Sequence, residues 1–298
     1  MHSTAGEWYR SNARDLPWRH TRDPYAILVS EIMLQQTQVE RTIPKYREFL
    51  AAFPTLEALA AASPGDVIRV WSGMGYNGRA VRLHRLAQQV VNEHGGTLPS
   101  TIEALRRLPG IGPYTAAAVA CFAFDAAVPV ADTNIYRALS RIVHGVKAPQ
   151  RKDIDPLVES FVPGPAAPIS ASDWHQALMD IGATLCTSAR PRCMLCPFLS
   201  ECNAAPHLQD GAAPLLAESS VPYVAKQGRF TGSTRYYRGR LVEALRRQPD
   251  SVMTLNEISA LINDDEGATK DRAWMDGLVD GLVRDGLAVR DGDRLSLP

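Results

Sequence analysis

Four of the five cysteines in this chain fall within 17 residues, at Cys186, Cys193, Cys196 and Cys202, with the spacing Cys-x6-Cys-x2-Cys-x5-Cys. Four thiols confined to so short a loop can converge on one centre. In a reducing compartment such a cluster reads as a metal site rather than as a disulfide framework. Soft sulfur ligands select zinc or iron–sulfur. Structural zinc more often uses two separated CxxC pairs, whereas here one CxxC is flanked by single cysteines, which favours iron–sulfur. Arg190 and Arg192 stand inside the loop. They suit a phosphate backbone, and two solvated arginines account for them equally well. The fifth cysteine, Cys121, lies alone in an apolar helical stretch.

The chain has 298 residues, 45% of them hydrophobic, enough for two or three compact domains with cores of their own. Lys and Arg number 32 and so do Asp and Glu. A role on nucleic acid must therefore rest on local patches rather than on global charge. No apolar run approaches a membrane span, and the first residues lack the layout of a signal peptide, so a cytoplasmic protein is expected.

Up to about residue 205 the apolar residues recur at helical spacing in many short pieces, without strand alternation. YAILVSEIMLQQTQVERTIPKYREFLAAF is helical, with Pro44 expected to start a new helix. Ser63-Pro64 and Ser100-Thr101 supply caps, and Gly95-Gly96 stops a helix. An all-α body follows. Residues 206–226, rich in Ala, Pro and Ser, read as a linker. Beyond it, RYYRGRLVEALRR, TLNEISALIND and KDRAWMDGLVDGLVRDG read as three helices, and LAVRDGDRLSLP as two short strands about Asp291-Gly292. Residues 227–298 are thus expected to form a small winged-helix-like domain, either a docking appendage or a DNA reader.

LRRLPGIGPYTAAAVA places Gly110 and Gly112 in a tight turn between two helices. Glycine tolerates the left-handed backbone and admits close approach. The amides of the turn and of the next helix then form an anion site that fixes register on a DNA phosphate without reading sequence. Close helix packing by the small residues that follow explains the same pattern.

LPGIGPYTA, the aspartate of VPVADTNIYRALSR and the cysteine pattern together resemble the helix-hairpin-helix DNA glycosylases related to endonuclease III. SEIMLQQTQV, LPWR, WSGMGY and WHQALMDIGATLC resemble the MutY-type adenine DNA glycosylases within them. The likeness covers about residues 5–205. It implies a helix-hairpin-helix glycosylase fold with a [4Fe–4S] cluster held by Cys186, Cys193, Cys196 and Cys202. It implies domains at 1–24 with 125–205 (cluster) and 25–124 (six-helix barrel with the hairpin), and a nucleoid-associated monomer acting on double-stranded DNA that contains a mispair.

Removing adenine requires a proton on the base and stabilisation of an oxocarbenium-like sugar, work done by two carboxylates in different environments. The resemblance assigns these roles to Glu31 and Asp132. In its apolar helix, burial would raise the Glu31 pKa and keep it protonated to donate at N7. Asp132 opens a helix, whose N-terminus favours the ionised form. By position alone, a helix-surface charge and an ordinary N-cap are the simpler readings. Tyr114 stands where bifunctional relatives carry a Schiff-base lysine, implying a monofunctional enzyme. By the same resemblance Gln36 wedges into the duplex beside Gln35, and Trp18, Arg19, Leu34 and Gln176 line the adenine pocket. Asn134 joins Tyr114 on the sugar and phosphate side.

Two departures bear on the partner base. Tyr76-Asn77 replaces the family's usual Tyr-Tyr, and no MutT-like domain is recognisable in residues 227–298. Excision of adenine opposite 8-oxoguanine or guanine is the leading expectation. Thymine or uracil excision on the same scaffold is second, and a non-catalytic DNA-binding module third.

Overall fold

The computed structural model describes residues 1–146, 149–209, 229–248, 250–263 and 270–298. In chain order the helices are α1 (His2–Asn12), α2 (Pro24–Leu34), α3 (Val39–Ala52), α4 (Leu56–Ala61), α5 (Pro64–Val70), α6 (Gly78–His94), α7 (Ile102–Leu105), α8 (Pro113–Phe124), α9 (Thr133–His144), α10 (Arg151–Ser160), α11 (Ala171–Thr184), α12 (Ala205–Gln209) and α13 (Thr234–Arg247). Strand β1 (Val252–Thr254) then precedes α14 (Leu255–Asn263) and α15 (Arg272–Arg284), and β2 (Val289–Asp291) and β3 (Arg294–Ser296) close the chain. The expected all-α body is present. Its ends are set by local chemistry: Ser63 and Thr101 accept from Asp66 N and Ala104 N as N-caps, and α6 stops at the left-handed Gly95. Pro44 does not start a helix. The helix already begins at Val39 and runs through it, the proline removing one donor without breaking the turn. No helix among the described residues is long and apolar enough to cross a membrane.

The chain divides into two compact units. The first holds Met1–Ile27, Ser100–Arg106 and Ile111–Ala225. Its core gathers Ala5 of α1, Ile135 and Leu139 of α9, Ile154 of α10, Trp174 and Ile181 of α11, and Phe198. Trp174 is fully enclosed, with the His2 ring edge-on at 4.7 Å and Phe198 at 6.4 Å. Helices α7 and α8, which the sequence assigned to the barrel, cluster with this unit. Of the expected linker, residues 206–209 lie in α12 and the remainder falls outside the described residues.

The second unit holds Leu28–Pro99, Arg107–Gly110 and Lys226–Pro298. The C-terminal module is part of it rather than a separate body. Ile68 and Val81 share one core with Leu241, Val242, Leu245, Leu282 and Leu297. Arg246 fastens the seam through Nε to Ile68 O at 2.9 Å, and Arg69 Nη2 donates to Ser251 Oγ at 2.9 Å. A Cβ on Gly65 would stand 2.5 Å from Pro298 O, so the chain end packs where only glycine fits. The module has the three expected helices and the expected hairpin. It also has a third strand, β1, which pairs antiparallel with β3 to give the order β1-β3-β2. Three residues are too few for strand alternation to show in the sequence.

At the centre of this unit lies Arg79, 3% exposed. Its Nη1 donates to Ile32 O (2.9 Å), Met33 O (3.0 Å) and Gln35 O (2.7 Å), and its Nη2 to Thr37 Oγ1 (3.2 Å), Met74 O (3.0 Å) and Gly75 O (3.2 Å). The guanidinium also lies over the Trp71 ring at 5.3 Å. Burial lowers its pKa to about 10, which still leaves it charged at neutral pH. A cation thus satisfies the last carbonyls of α2 and joins that helix end to the Met74–Gly75 turn. Arg79→Met should lower the unfolding free energy by about 3 kcal/mol or more, because removing one partner strands several buried acceptors. Urea denaturation measures it, and a loss under about 1 kcal/mol would show that water replaces the guanidinium.

Candidate active site and cysteine cage

The first unit carries Asp132 as the N-cap of α9, with its carboxylate accepting from Ile135 N at 2.9 Å. Asn134 Nδ2 donates to the other carboxylate oxygen at 2.7 Å. Arg137 in turn donates from Nη2 to Asn134 Oδ1 (2.8 Å) and Gly182 O (2.6 Å), and from Nε to Cys186 O (2.7 Å). One hydrogen-bonded chain therefore runs from Asp132 to the first cysteine of the loop. The helix N-terminus favours the ionised form of Asp132, and burial opposes it. Burial is the largest influence and pushes its carboxyl above the usual aspartate range, while the bonds from Ile135 and Asn134 and the Arg137 charge pull the other way.

The loop that delivers Asp132 hangs on a buried histidine. Val130 N donates to His175 Nε2 at 3.1 Å, and Nδ1 on the other side of the ring donates to Ala171 O at 2.6 Å. Both bonds require the neutral ring, and burial lowers its pKa to about 4.

Trp18 and Arg19 lie in a short turn of 3-10 helix, Pro17–Arg19. Trp18 is buried. Arg19 makes a two-point pair with Asp180, Nη1 to Oδ2 at 2.6 Å and Nη2 to Oδ1 at 2.8 Å, with Arg14 Nε on the same carboxylate. Burial alone would raise the Asp180 pKa, but the arginines outweigh it and hold it below the usual range. Gln176 accepts from Tyr9 Oη at 2.8 Å and donates to Ser172 Oγ at 3.1 Å. Tyr114 sits at the exposed start of α8, just after Gly112, the N-cap of that helix.

In the second unit Glu31 is buried in α2, a helix whose Leu28, Ile32 and Met33 are buried as well. Leu34 closes the helix, and Gln35 O is one of the Arg79 acceptors. Gln36 is exposed with a left-handed backbone at φ 55°, and Tyr76 is 45% exposed at φ 45°. Both conformations strain a residue that is not glycine, a strain that clusters at functional sites. Asn77 Oδ1 accepts from Arg246 Nη2 at 2.9 Å. Gly110, at φ 80°, packs on Arg82, whose Cβ would be 3.1 Å from an added methyl.

The four loop cysteines are free and half-buried, and all border one cavity with Arg141, Leu185, Pro191 and Leu199. Arg141 Nη1 lies 3.3 Å from Cys186 Sγ and donates to Thr187 O at 2.8 Å. Burial pushes the Cys196 thiol up to about 11, so a bound metal must displace a proton there. No group of three His, Cys, Asp or Glu side chains among the described residues is arranged to hold a single metal ion. A tetrahedral zinc would need all four sulfurs at about 2.3 Å from one point. Four thiols about one cavity are a donor set that soft metals take, as zinc or iron–sulfur. Arg190 and Arg192 are exposed beside it, as are Met194 and Leu195 at 73% and 61%.

With this geometry in hand, residues 29–163 match the HhH-GPD superfamily base excision DNA repair protein model. The chain is 41% identical over 279 residues to the adenine DNA glycosylase of Mycolicibacterium smegmatis, covering 93% of this chain and 90% of that one. The adenine DNA glycosylase of Mycobacterium tuberculosis is 40% identical over 296 residues, covering 98% and 91%. The chain belongs to the adenine DNA glycosylase family. Among solved structures, a thermostable thymine-DNA glycosylase superposes with a TM-score of 0.62 at 32% identity, over 69% of this chain and 95% of that one. The mycobacterial match runs into the C-terminal module, so that module is shared with those members of the family.

Sequence reasoning passed over Arg79, Arg137, Arg141, His175 and Asp180. Each sits within a helix and has partners far away in the chain, so its neighbours carry no signal of its role. His175 yields a pH test. Its folded pKa lies below the ordinary 6.5, so its contribution is complete above about pH 6.5 and is lost as pH falls toward 4, by about 3 kcal/mol in total. His175→Gln should flatten that limb of a stability–pH curve measured by urea denaturation. An unchanged limb would assign it to another group.

Proposed function

We propose that this chain is a monofunctional glycosylase that excises adenine opposite 8-oxoguanine or guanine in double-stranded DNA. The observation that carries the reading is its pair of carboxyl groups with unlike surroundings. Glu31 is buried in the apolar helix α2, and Asp132 is fitted with amide donors and a nearby guanidinium. This is the division of labour that cleavage of an N-glycosidic bond requires.

Glu31 donates its proton to N7 of the flipped adenine, and the C1′–N9 bond breaks with its electron pair leaving on the base. Asp132 stabilises the positive sugar, its negative charge sustained by Ile135 N, Asn134 and Arg137. Water then adds at C1′ and its proton goes to the Glu31 carboxylate left by the first step, leaving an abasic site in an intact strand. Tyr114 offers no amine, so no Schiff base forms. Gln36 enters the stack beside Tyr76, with Gln35 at the same turn. Trp18, Arg19, Leu34 and Gln176 serve the adenine pocket, and Asn134 keeps Asp132 in place. Gly110 and Gly112 grip a phosphate.

Cys186, Cys193, Cys196 and Cys202 hold a [4Fe–4S] cluster, which cross-links the loop bearing Arg190 and Arg192 and takes no part in bond cleavage. Thymine removal is the second reading, favoured by the likeness to the thymine-DNA glycosylase. Against it stand Gln36 and Gln176 and the greater identity and coverage of the adenine enzymes.

Glu31→Gln and Asp132→Asn should keep duplex binding while single-turnover adenine release falls by ~10²-fold or more. Near-normal release by Glu31→Gln would remove it as the acid, and release of thymine alone from a panel of mispairs would replace the adenine reading. Borohydride trapping should be weak. Purified protein should be brown, with about four irons per chain; stoichiometric zinc after growth in ample iron would exclude the cluster.

A further inference from the structure

The neutral chain hides a strongly biased surface. Within the second unit a cleft of about 1010 Å³ opens between the α6 end of the barrel and the C-terminal module. Six arginines line it: Arg41, Arg82 and Arg85 from the barrel, and Arg235, Arg238 and Arg284 from α13 and α15. Asp285 is the one carboxylate of its wall among the described residues, and it is spent on Arg238. Arg41, Arg82, Arg85 and Arg284 are exposed, and none forms an ion pair with a described residue. Like charges gathered from two parts of the chain repel, so this arrangement costs stability unless an anion fills it. At the mouth stand the two strained residues Gln36 and Tyr76.

We propose that the C-terminal module completes a phosphodiester-binding channel, in which a DNA backbone runs between Arg85 of the barrel and Arg284 of the module. The lining is cationic and the cleft open, as a polyanion requires. Arg246 and Asn77 hold the two walls in fixed register, so the channel is built before DNA arrives. This rests on the DNA-repair reading of the preceding section but not on which base is removed. It also gives the winged-helix-like fold a task other than the reading of an oxidised base: it contributes grip.

The test uses the full chain with its metal and an undamaged duplex, so that base removal plays no part in the readout. Each phosphate contact adds about 0.9 to the slope of log K against log salt. The double variant Arg85→Ala/Arg284→Ala should lose about 2 from that slope, and Arg85→Lys/Arg284→Lys should retain it. Arg247→Ala, outside the cleft, should leave it unchanged. Thermal melting of each variant shows that the fold is intact. A slope within error of wild type for the alanine pair would overturn the proposal, as would a slope lost on single-stranded RNA but not on the duplex. Because wild-type base release is measured separately, an inactive wild type with a normal slope would count against the glycosylase reading alone.

Discussion

The arrangement of the second unit depends on one buried cation. Arg79 draws the carbonyl end of α2, the turn through Gln35 and Thr37, and the Met74–Gly75 turn onto a single guanidinium. Only arginine presents enough planar donors to meet acceptors on both sides at once. A lysine would supply the charge but not the fork. Three elements of the proposed function hang on that point: the helix bearing Glu31, the exposed Gln36 and the exposed Tyr76. The left-handed backbones at Gln36 and Tyr76 cost of order 1–3 kcal/mol each, and the Arg79 bonds on either side offset that cost and hold both side chains outward.

The first unit solves a similar problem with different parts. A carboxylate that must face a developing cation cannot be left in water, where it would be screened, nor buried bare, where it would take up a proton. Asp132 stands between these limits. Burial pushes it toward the neutral acid, and a helix N-terminus, an asparagine and Arg137 push back. Its N-cap role and its proposed catalytic role are therefore one geometry, since the amides that end the helix also favour the anion. The same Arg137 reaches the carbonyl of Cys186. The order of the cysteine loop and the setting of the carboxylate thus share a residue, which gives a distant cage of thiols a mechanical stake in the site.

What could be read from the sequence was what its own neighbours determine. The cysteine spacing, the Gly110–Gly112 turn, the caps at Ser63 and Thr101 and the strand pair about Gly292 are set by residues a few positions apart. The contacts that escaped are those whose partners lie far along the chain: Arg79 with Ile32, Val130 with His175, Arg19 with Asp180, Arg246 with Asn77. Asn77 shows the consequence. Its place after Tyr76 gives no hint that its side-chain oxygen also ties the barrel to α13.

That seam bears on how a chain with no net charge can grip DNA at all. Global attraction is absent, so binding must come from cations crowded within a Debye length, about 8 Å at physiological salt, of the same stretch of backbone. Crowding arginines is unfavourable in the free protein, and a flexible module would relieve it by swinging away. Here the relief is blocked: Leu241, Val242 and Leu245 are sunk into a core shared with Ile68 and Val81, and Arg246 and Arg69 bridge the same boundary. The apolar seam therefore does more than stabilise the module. It holds the arginines of α13 and α15 against the repulsion of those on the barrel, so that the repulsion is relieved when a polyanion enters rather than when the domains part.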